Sequence, residues 1–294
     1  MVNENVGEIL MNDVEKLFFS RSVVFFDGAM GTMLQQNGMP KGIRSDTMNI
    51  IRPDVVEAIH RQYVEAGSDI ICTNTLGANT HALRDTGYTP EQIISAGVSL
   101  AKNAAAERAL VALDMGPIGE LLAPSGELTY DDAYAMFAEQ AQLAEKHGAD
   151  LVAIETMGDI EEARAAVCAV RDNTSLPIFA TMTFMENKKT YMGATPQELA
   201  ELAEQYGIDG FGINCSYPPT SMLPVAQLLA ELSSIPLIIK LNAGMPDSEG
   251  SYALTPAAFA QQMLPYQKLN VKVVGACCGS NPDFIRELKR VLAD

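Results

Sequence analysis

Short, nearly continuous apolar runs recur along the chain, each followed by a polar or glycine-containing stretch and then by apolar residues at helical spacing. Eight such runs predict strands, at residues 23–26, 70–73, 110–113, 151–154, 178–181, 210–213, 237–240 and 271–274. A run that is apolar at every position belongs to a strand covered on both faces, as in a parallel sheet flanked by helices. Helices are predicted between them, among others at 53–66, 131–147, 160–171, 196–206 and 282–293. Thr195-Pro196, Thr255-Pro256 and Asn281-Pro282 each place a capping side chain directly before proline at a helix start.

Eight alternating strand and helix units predict an α/β fold, a single-domain (β/α)8 TIM barrel spanning 1–294, with residues 1–20 a helical extension across the barrel bottom. An open doubly wound sheet is the alternative. No Gly-x-Gly-x-x-Gly turn follows the first strand, and no Pro-, Gly- or Ser-rich linker divides the chain, so the barrel is preferred.

Composition narrows the partners. Lys and Arg number 20 against 37 Asp and Glu, a net charge of −17, which repels nucleic acid and anionic membranes over most of the surface. The start of the chain lacks the basic-then-apolar form of a signal peptide, and no later run is long enough to span a bilayer, so a cytoplasmic location is expected. Five cysteines in 294 residues are too few, and odd in number, for a disulfide framework.

Barrels of this type carry their chemistry where the strands end. Asp27 follows the first predicted strand, Thr75 lies just after the second, Glu155 follows the fourth, Cys215 the sixth, Asn242 the seventh, and Cys277-Cys278 the eighth. Three thiols from two distant segments thus meet at one end of the barrel. Neighbouring strand residues point to opposite faces, so Cys277 and Cys278 can share a metal only where the strand breaks, a freedom that Gly275 and Gly279 supply. Three thiolates suit a tetrahedral zinc ion with its fourth position open, whereas a buried packing pair or a vicinal disulfide is the plainer reading.

The other candidates carry alternatives of their own. Asp27 and Glu155 suit a cationic group or acid–base work, or they cap the helices that follow. Asn242 reaches substrate or metal, or belongs to the Asn-Ala-Gly turn. Lys240 is either a buried amine suited to Schiff-base aldolase chemistry or the partner of a barrel carboxylate. Cys72 and Cys168 are expected in the core, and His60, His81 and His147 fall on helices and are not ligands.

In order along the chain stand Asp27-Gly28-Ala29-Met30-Gly31-Thr32, Thr73-Asn74-Thr75, Gly116-Pro117, Glu155-Thr156, Gly212-Ile213-Asn214-Cys215, Asn242-Ala243-Gly244 and Gly275-Ala276-Cys277-Cys278-Gly279. With these motifs the chain resembles the homocysteine S-methyltransferases from about Val23 onward. Segments 27–35 and 73–79 are most similar to the homocysteine-binding N-terminal module of cobalamin-dependent methionine synthase. The resemblance implies that Cys215, Cys277 and Cys278 ligate zinc and so activate the thiol. It also implies that Glu155 and Asp27 hold the amino group of homocysteine, that backbone amides near Thr75 receive its carboxylate, and that Asn242 occupies the metal when substrate is absent. Leu241 stands where the family has proline, and Ser216-Tyr217-Pro218-Pro219 departs from the family pattern, which bears on thiol specificity.

None of the three histidines lies in an Asp-x-His-x-x-Gly context, so no corrinoid site is expected in this chain. The resemblance then implies a methyl group brought by a separate corrinoid protein, as methylcobalamin, or by a methyltetrahydrofolate-linked module. The alternatives are a stand-alone betaine- or S-methylmethionine-dependent enzyme, methyl transfer to another thiol, and a thiol- or corrinoid-binding module that does not catalyse.

Overall fold

The computed structural model describes residues 11–293, so residues 1–10 of the expected N-terminal extension lie outside the described residues. Eight strands form one sheet: β1 Val24–Phe25, β2 Ile70–Cys72, β3 Leu110–Met115, β4 Leu151–Met157, β5 Ile178–Met182, β6 Gly210–Asn214, β7 Leu237–Leu241 and β8 Val271–Ala276. Every neighbouring pair is parallel, in the order β1-β8-β7-β6-β5-β4-β3-β2. A parallel bridge between Phe26 and Ile70 joins the two ends of that order and closes the barrel. The seam is thin, and Asp69 reinforces it: its amide donates to the Phe25 carbonyl at 2.6 Å, and its carboxylate accepts from the Phe25 amide at 2.9 Å.

The strands are mostly apolar because each face has its own apolar neighbour. Phe25, Ile71, Val111, Val152, Ile213 and Ile239 point outward and pack with the surrounding helices in one core. Val24, Phe26, Ile70, Phe179, Ile238 and Val273 point inward and fill the lower barrel. Full burial of such side chains is worth about 1.5–3 kcal/mol each. The helix Asp13–Ser20 closes the lower end, with Val14 and Leu17 in the interior cluster and the Phe18 ring stacked on Phe179 at 5.8 Å between centroids. Its N-cap Asn12 accepts from the Glu15 amide, and Glu15 answers with a capping box.

The helices form where proline and capping side chains start them. Thr195 accepts from the Glu198 amide, Thr255 from Ala258 and Asn281 from Asp283, each directly before a proline. Helices Pro53–Ala66 and Pro196–Tyr206 have the expected bounds. Strands β3, β4 and β8 run farther than expected, to Met115, Met157 and Ala276. Polar residues such as Asp114 and Glu155 interrupt the apolar runs without ending the ladder, because they face the interior on the same alternation as the apolar residues below them. Among the described residues, no helix is long and apolar enough to cross a membrane.

Small residues let the barrel interior fill. A β-carbon at Gly212 would lie 1.9 Å from the backbone carbonyl oxygen of Ile238 on the neighbouring strand, whereas one at Gly31 would meet nothing within 4 Å. Gly212→Ala is therefore expected to lower the free energy of urea unfolding by about 1–3 kcal/mol. Gly31→Ala, on the helix Met30–Gln36, should leave it unchanged or raise it by up to about 1 kcal/mol.

Candidate active site at the barrel mouth

Toward the C-terminal ends of the strands the interior changes from apolar to polar. Asp27, Cys72, Asp114, Glu155, Asn214 and Lys240 line a cavity of about 220 Å³, together with Cys215, Cys277 and Cys278. Cys215 lies at the bend that ends β6, and Cys277-Cys278 directly follow β8. The three sulfurs lie within 4.8 Å of one another, with Cys215 Sγ 3.5 Å from Cys278 Sγ.

Local backbone geometry makes that convergence possible. The Cys277 amide donates to the Leu241 carbonyl at 2.8 Å, and the Cys278 carbonyl accepts from the Ala243 amide at 2.9 Å, so both ends of the pair are pinned to the segment after β7. The chain then turns at Gly279, whose φ of 80° favours glycine and whose Cα leaves no room for a side chain beneath Tyr252. Gly275 has a different role from the one expected. It is a regular strand residue paired with Lys240, and the space a side chain would fill there is taken by Phe26 and the stem of Lys240. Cys215 itself has a φ of 45°, a left-handed conformation costly for a residue with a β-carbon, and its amide is held by the Lys240 carbonyl at 3.0 Å.

The donor set fits a thiophilic cation. Two thiolates on one tetrahedral zinc ion stand about 3.8 Å apart, close to the separation between Cys215 and Cys278. Contacts from Cys215 and then Cys277 lower the Cys278 pKa, whereas contacts from Cys215 and then Cys278 raise that of Cys277. Three crowded thiolates repel one another, so the three sulfurs do not all ionise together unless a cation is shared. Beside them the buried Asn242 Oδ1 has no hydrogen-bond partner. Asn242 does not line the cavity, but it sits between the two backbone bonds that pin Cys277 and Cys278.

Beneath the thiols lies a charged cluster. Lys240 Nζ, on β7, donates to Glu155 Oε1 at 2.6 Å and stands 3.6 Å from Asp27 Oδ1, 3.8 Å from Cys72 Sγ and 4.0 Å from the centre of the Phe26 ring. Burial alone would lower the Lys240 pKa, yet Cys72, Glu155, Asp27 and Asp114 around it raise it above its ordinary value. A protonated, ion-paired amine is a poor nucleophile, so the aldolase alternative loses its reacting group. Cys72, Asp114 and Glu155 also come within 4.8 Å of one another, but the Lys240 ammonium already supplies the cation there.

Asp27 does not cap the following helix. Its Oδ2 accepts from the Cys72 amide at 2.7 Å, and the cap position of Met30–Gln36 is Ala29. Glu155 occupies an inward position on β4. The next residue, Thr156, has a φ of 66° within an irregularity of the β4–β5 register, where Asn214 brackets it by accepting from its amide at 2.7 Å and donating to its hydroxyl at 2.8 Å. Thr75 is buried and its hydroxyl donates to the Asp114 carbonyl, so its side chain does not reach the cavity, whereas its neighbours Asn74 and Leu76 line it. Cys72 is buried as expected but faces the charged cluster; Cys168 is only partly buried on the helix Ile160–Asn173. His60, His81 and His147 lie on helices and none lines the cavity. Asp114 was not among the expected site residues, although it continues the inward alternation of Leu110 and Ala112.

The family model described as homocysteine S-methyltransferase matches residues 24–292. Methionine synthase from Mycobacterium leprae (strain TN) is 31% identical over 297 residues, covering 93% of this chain and 24% of that protein. The chain thus spans about a quarter of the length of the methionine synthases it matches. In fold it is similar to the homocysteine methyltransferase MmuM from Escherichia coli, with a TM-score of 0.83 to the oxidized form and 0.81 to the metallated form. Each comparison has 21% identity and covers 95% of this chain and 99% of that one.

Burial raises the Asp27 pKa from 3.8 to about 7, against the opposing pull of Lys240 and of the Cys72 amide. Between those values the folded protein keeps a proton that the unfolded chain has released. The stability Asp27 contributes is therefore complete below about pH 4 and is lost as pH rises through about 7. Asp27→Asn keeps an oxygen for the Cys72 amide but cannot ionise. Urea unfolding should show its stability relative to the wild type improving by about 2 kcal/mol between pH 5 and pH 8; a constant difference would contradict this titration.

Proposed function

Starting from a chain that belongs to the homocysteine S-methyltransferase family, we propose that the protein methylates the thiol of homocysteine to give methionine, with the methyl group delivered by a separate corrinoid protein. The observation that carries this reading is the meeting of Cys215, Cys277 and Cys278 at the cavity that also contains Asp27 and Glu155. In this reading the three cysteines would hold a zinc ion, an ion that commonly binds three protein ligands and a substrate. Zinc bound there supplies the positive charge that lets a thiol lose its proton at neutral pH.

The remaining work belongs to side chains and backbone. Glu155 and Asp27 orient the acceptor's amino group in a site closed from below by the packed interior. Among the described residues, the Thr75 and Leu76 amides donate no hydrogen bond within the chain and are free to receive the carboxylate. Asn242, whose buried Oδ1 has no partner, would be the chain's own oxygen donor toward a bound cation when no acceptor is present. The narrow cavity presents the sulfur toward the barrel mouth, where the donor approaches. A sulfur lone pair forms the new S–C bond while the bond from methyl to its carrier breaks, both electrons remaining with the carrier.

A corrinoid donor is favoured by the match to a quarter of methionine synthase at about 30% identity. The fold likeness to MmuM does not discriminate among donors. Methylcobalamin, betaine and S-methylmethionine should therefore each be assayed with zinc-loaded protein and homocysteine in reducing buffer, and methionine should form with methylcobalamin alone. Formation with betaine or S-methylmethionine instead would replace the corrinoid donor. Cys277→Ala should lose both bound zinc, measured by metal analysis, and at least about a hundredfold in turnover; wild-type turnover without zinc would remove the metal from the mechanism.

A further inference from the structure

The cluster below the thiols contains one more cation than an acceptor site for an amino acid requires. Lys240 extends inward from β7, its stem fitted into space that Gly275 leaves open and its ammonium over the Phe26 ring. The register of the barrel sets it between Asn214 on β6 and Gly275 on β8, so its inward direction follows from the sheet. Its ammonium is hydrogen-bonded to Glu155 and within ion-pair range of Asp27, and all three side chains are less than a tenth exposed. The two carboxylates available to an acceptor's ammonium thus already face a covalently attached one. A second ammonium brought to the same carboxylates would either displace Lys240 or sit beside a like charge in a poorly solvated space, and both weaken its binding.

We propose that Lys240 is a specificity-determining residue that occupies the ammonium seat between Glu155 and Asp27, extending the acceptor range to thiol carboxylic acids that lack an α-amino group. The assignment rests on the thiol-methylation reading for the identity of the reaction, but the seat itself is a property of Lys240, Glu155 and Asp27. An acceptor without an amino group leaves the ion pair intact and still offers its sulfur to the cysteine cluster and its carboxylate to the mouth. Homocysteine has to move Lys240 or bring its ammonium up beside it to reach Glu155. Lys240 is a positioning group in this account, and it takes no part in the bond changes.

The matched probes are homocysteine and 4-mercaptobutyrate, which share a carbon skeleton, thiol and carboxylate and differ in the amino group. Binding of each to the zinc-loaded full chain is measured by calorimetry, and methyl transfer to each is measured in parallel. The wild type should bind 4-mercaptobutyrate within about tenfold of homocysteine, and a larger preference for homocysteine would overturn the proposal. K240M and K240Q should each move the binding ratio toward homocysteine by about tenfold or more, and a smaller movement in a folded variant would overturn it. K240Q keeps an N–H group for Glu155 and guards against loss of folding; if neither variant folds, the wild-type ratio decides alone. The predicted binding ratio without methyl transfer to either thiol would sink the methyl-transfer reading and leave the role of Lys240 standing. Binding of neither thiol would overturn the assignment.

Discussion

Closing eight parallel strands into a ring sends every second side chain of each strand into a lumen with little room for water, and any charge placed there must find its partner inside the protein. In the lower barrel the condition is met by having no charge at all, with Val24, Phe26, Ile70, Phe179, Ile238 and Val273 in contact. One layer higher it is met by Lys240 against Glu155 and Asp27. That ion pair sets the electrostatics of the whole mouth. It keeps Lys240 protonated, it opposes the rise of the Asp27 pKa that burial causes, and it lies directly below the three thiols.

The thiol cluster depends on a different constraint, the end of the hydrogen-bond ladder. As long as β8 continues, neighbouring side chains face opposite ways; after Ala276 the regular ladder gives way to single bonds, from Cys277 to Leu241 and from Ala243 to Cys278, and adjacent cysteines are free to turn to the same side. The left-handed backbone of Cys215, at the end of β6, is the matching distortion on the facing segment. Asn214 and Thr156 add rigidity between β6 and β4 through two hydrogen bonds that imitate a backbone pair. Local strain of this kind persists only where surrounding structure over-determines it, and here it falls beside the candidate ligands.

The two ends of the barrel therefore do separate work. The helix Asp13–Ser20 covers the lower end with aromatic and aliphatic contacts to the interior. At the upper end the loops leave the cavity open to a donor, and the surplus of 17 negative charges over the chain disfavours polyanionic visitors. Membership of the homocysteine S-methyltransferase family accounts for the cysteine pattern and the barrel. In this chain Leu241 extends β7 and offers its carbonyl to Cys277, and Lys240 projects inward one position earlier.

The strand–helix alternation, the capping residues before proline and the spacing of the cysteine motifs were legible in the sequence, because each is a local pattern with a local physical cause. The fold class followed from those patterns, as did the placement of Asp27, Cys215, Cys277 and Cys278 just beyond strand ends, whereas Glu155, expected after the fourth strand, lies within β4, which runs on to Met157. What local pattern could not decide was which polar groups meet across the lumen. Asp114 carries no signal of its own because it lies inside a strand that continues past it, and the sequence does not show that the Thr75 hydroxyl turns to the Asp114 carbonyl. The sequence allows Lys240 to be either nucleophile or ion-pair partner, since only the register of β7 against its neighbours and its 2.6 Å bond to Glu155 distinguish them. Residues far apart in the chain become partners through barrel closure, and their distances, protonation and competition for one seat are properties of the tertiary structure alone.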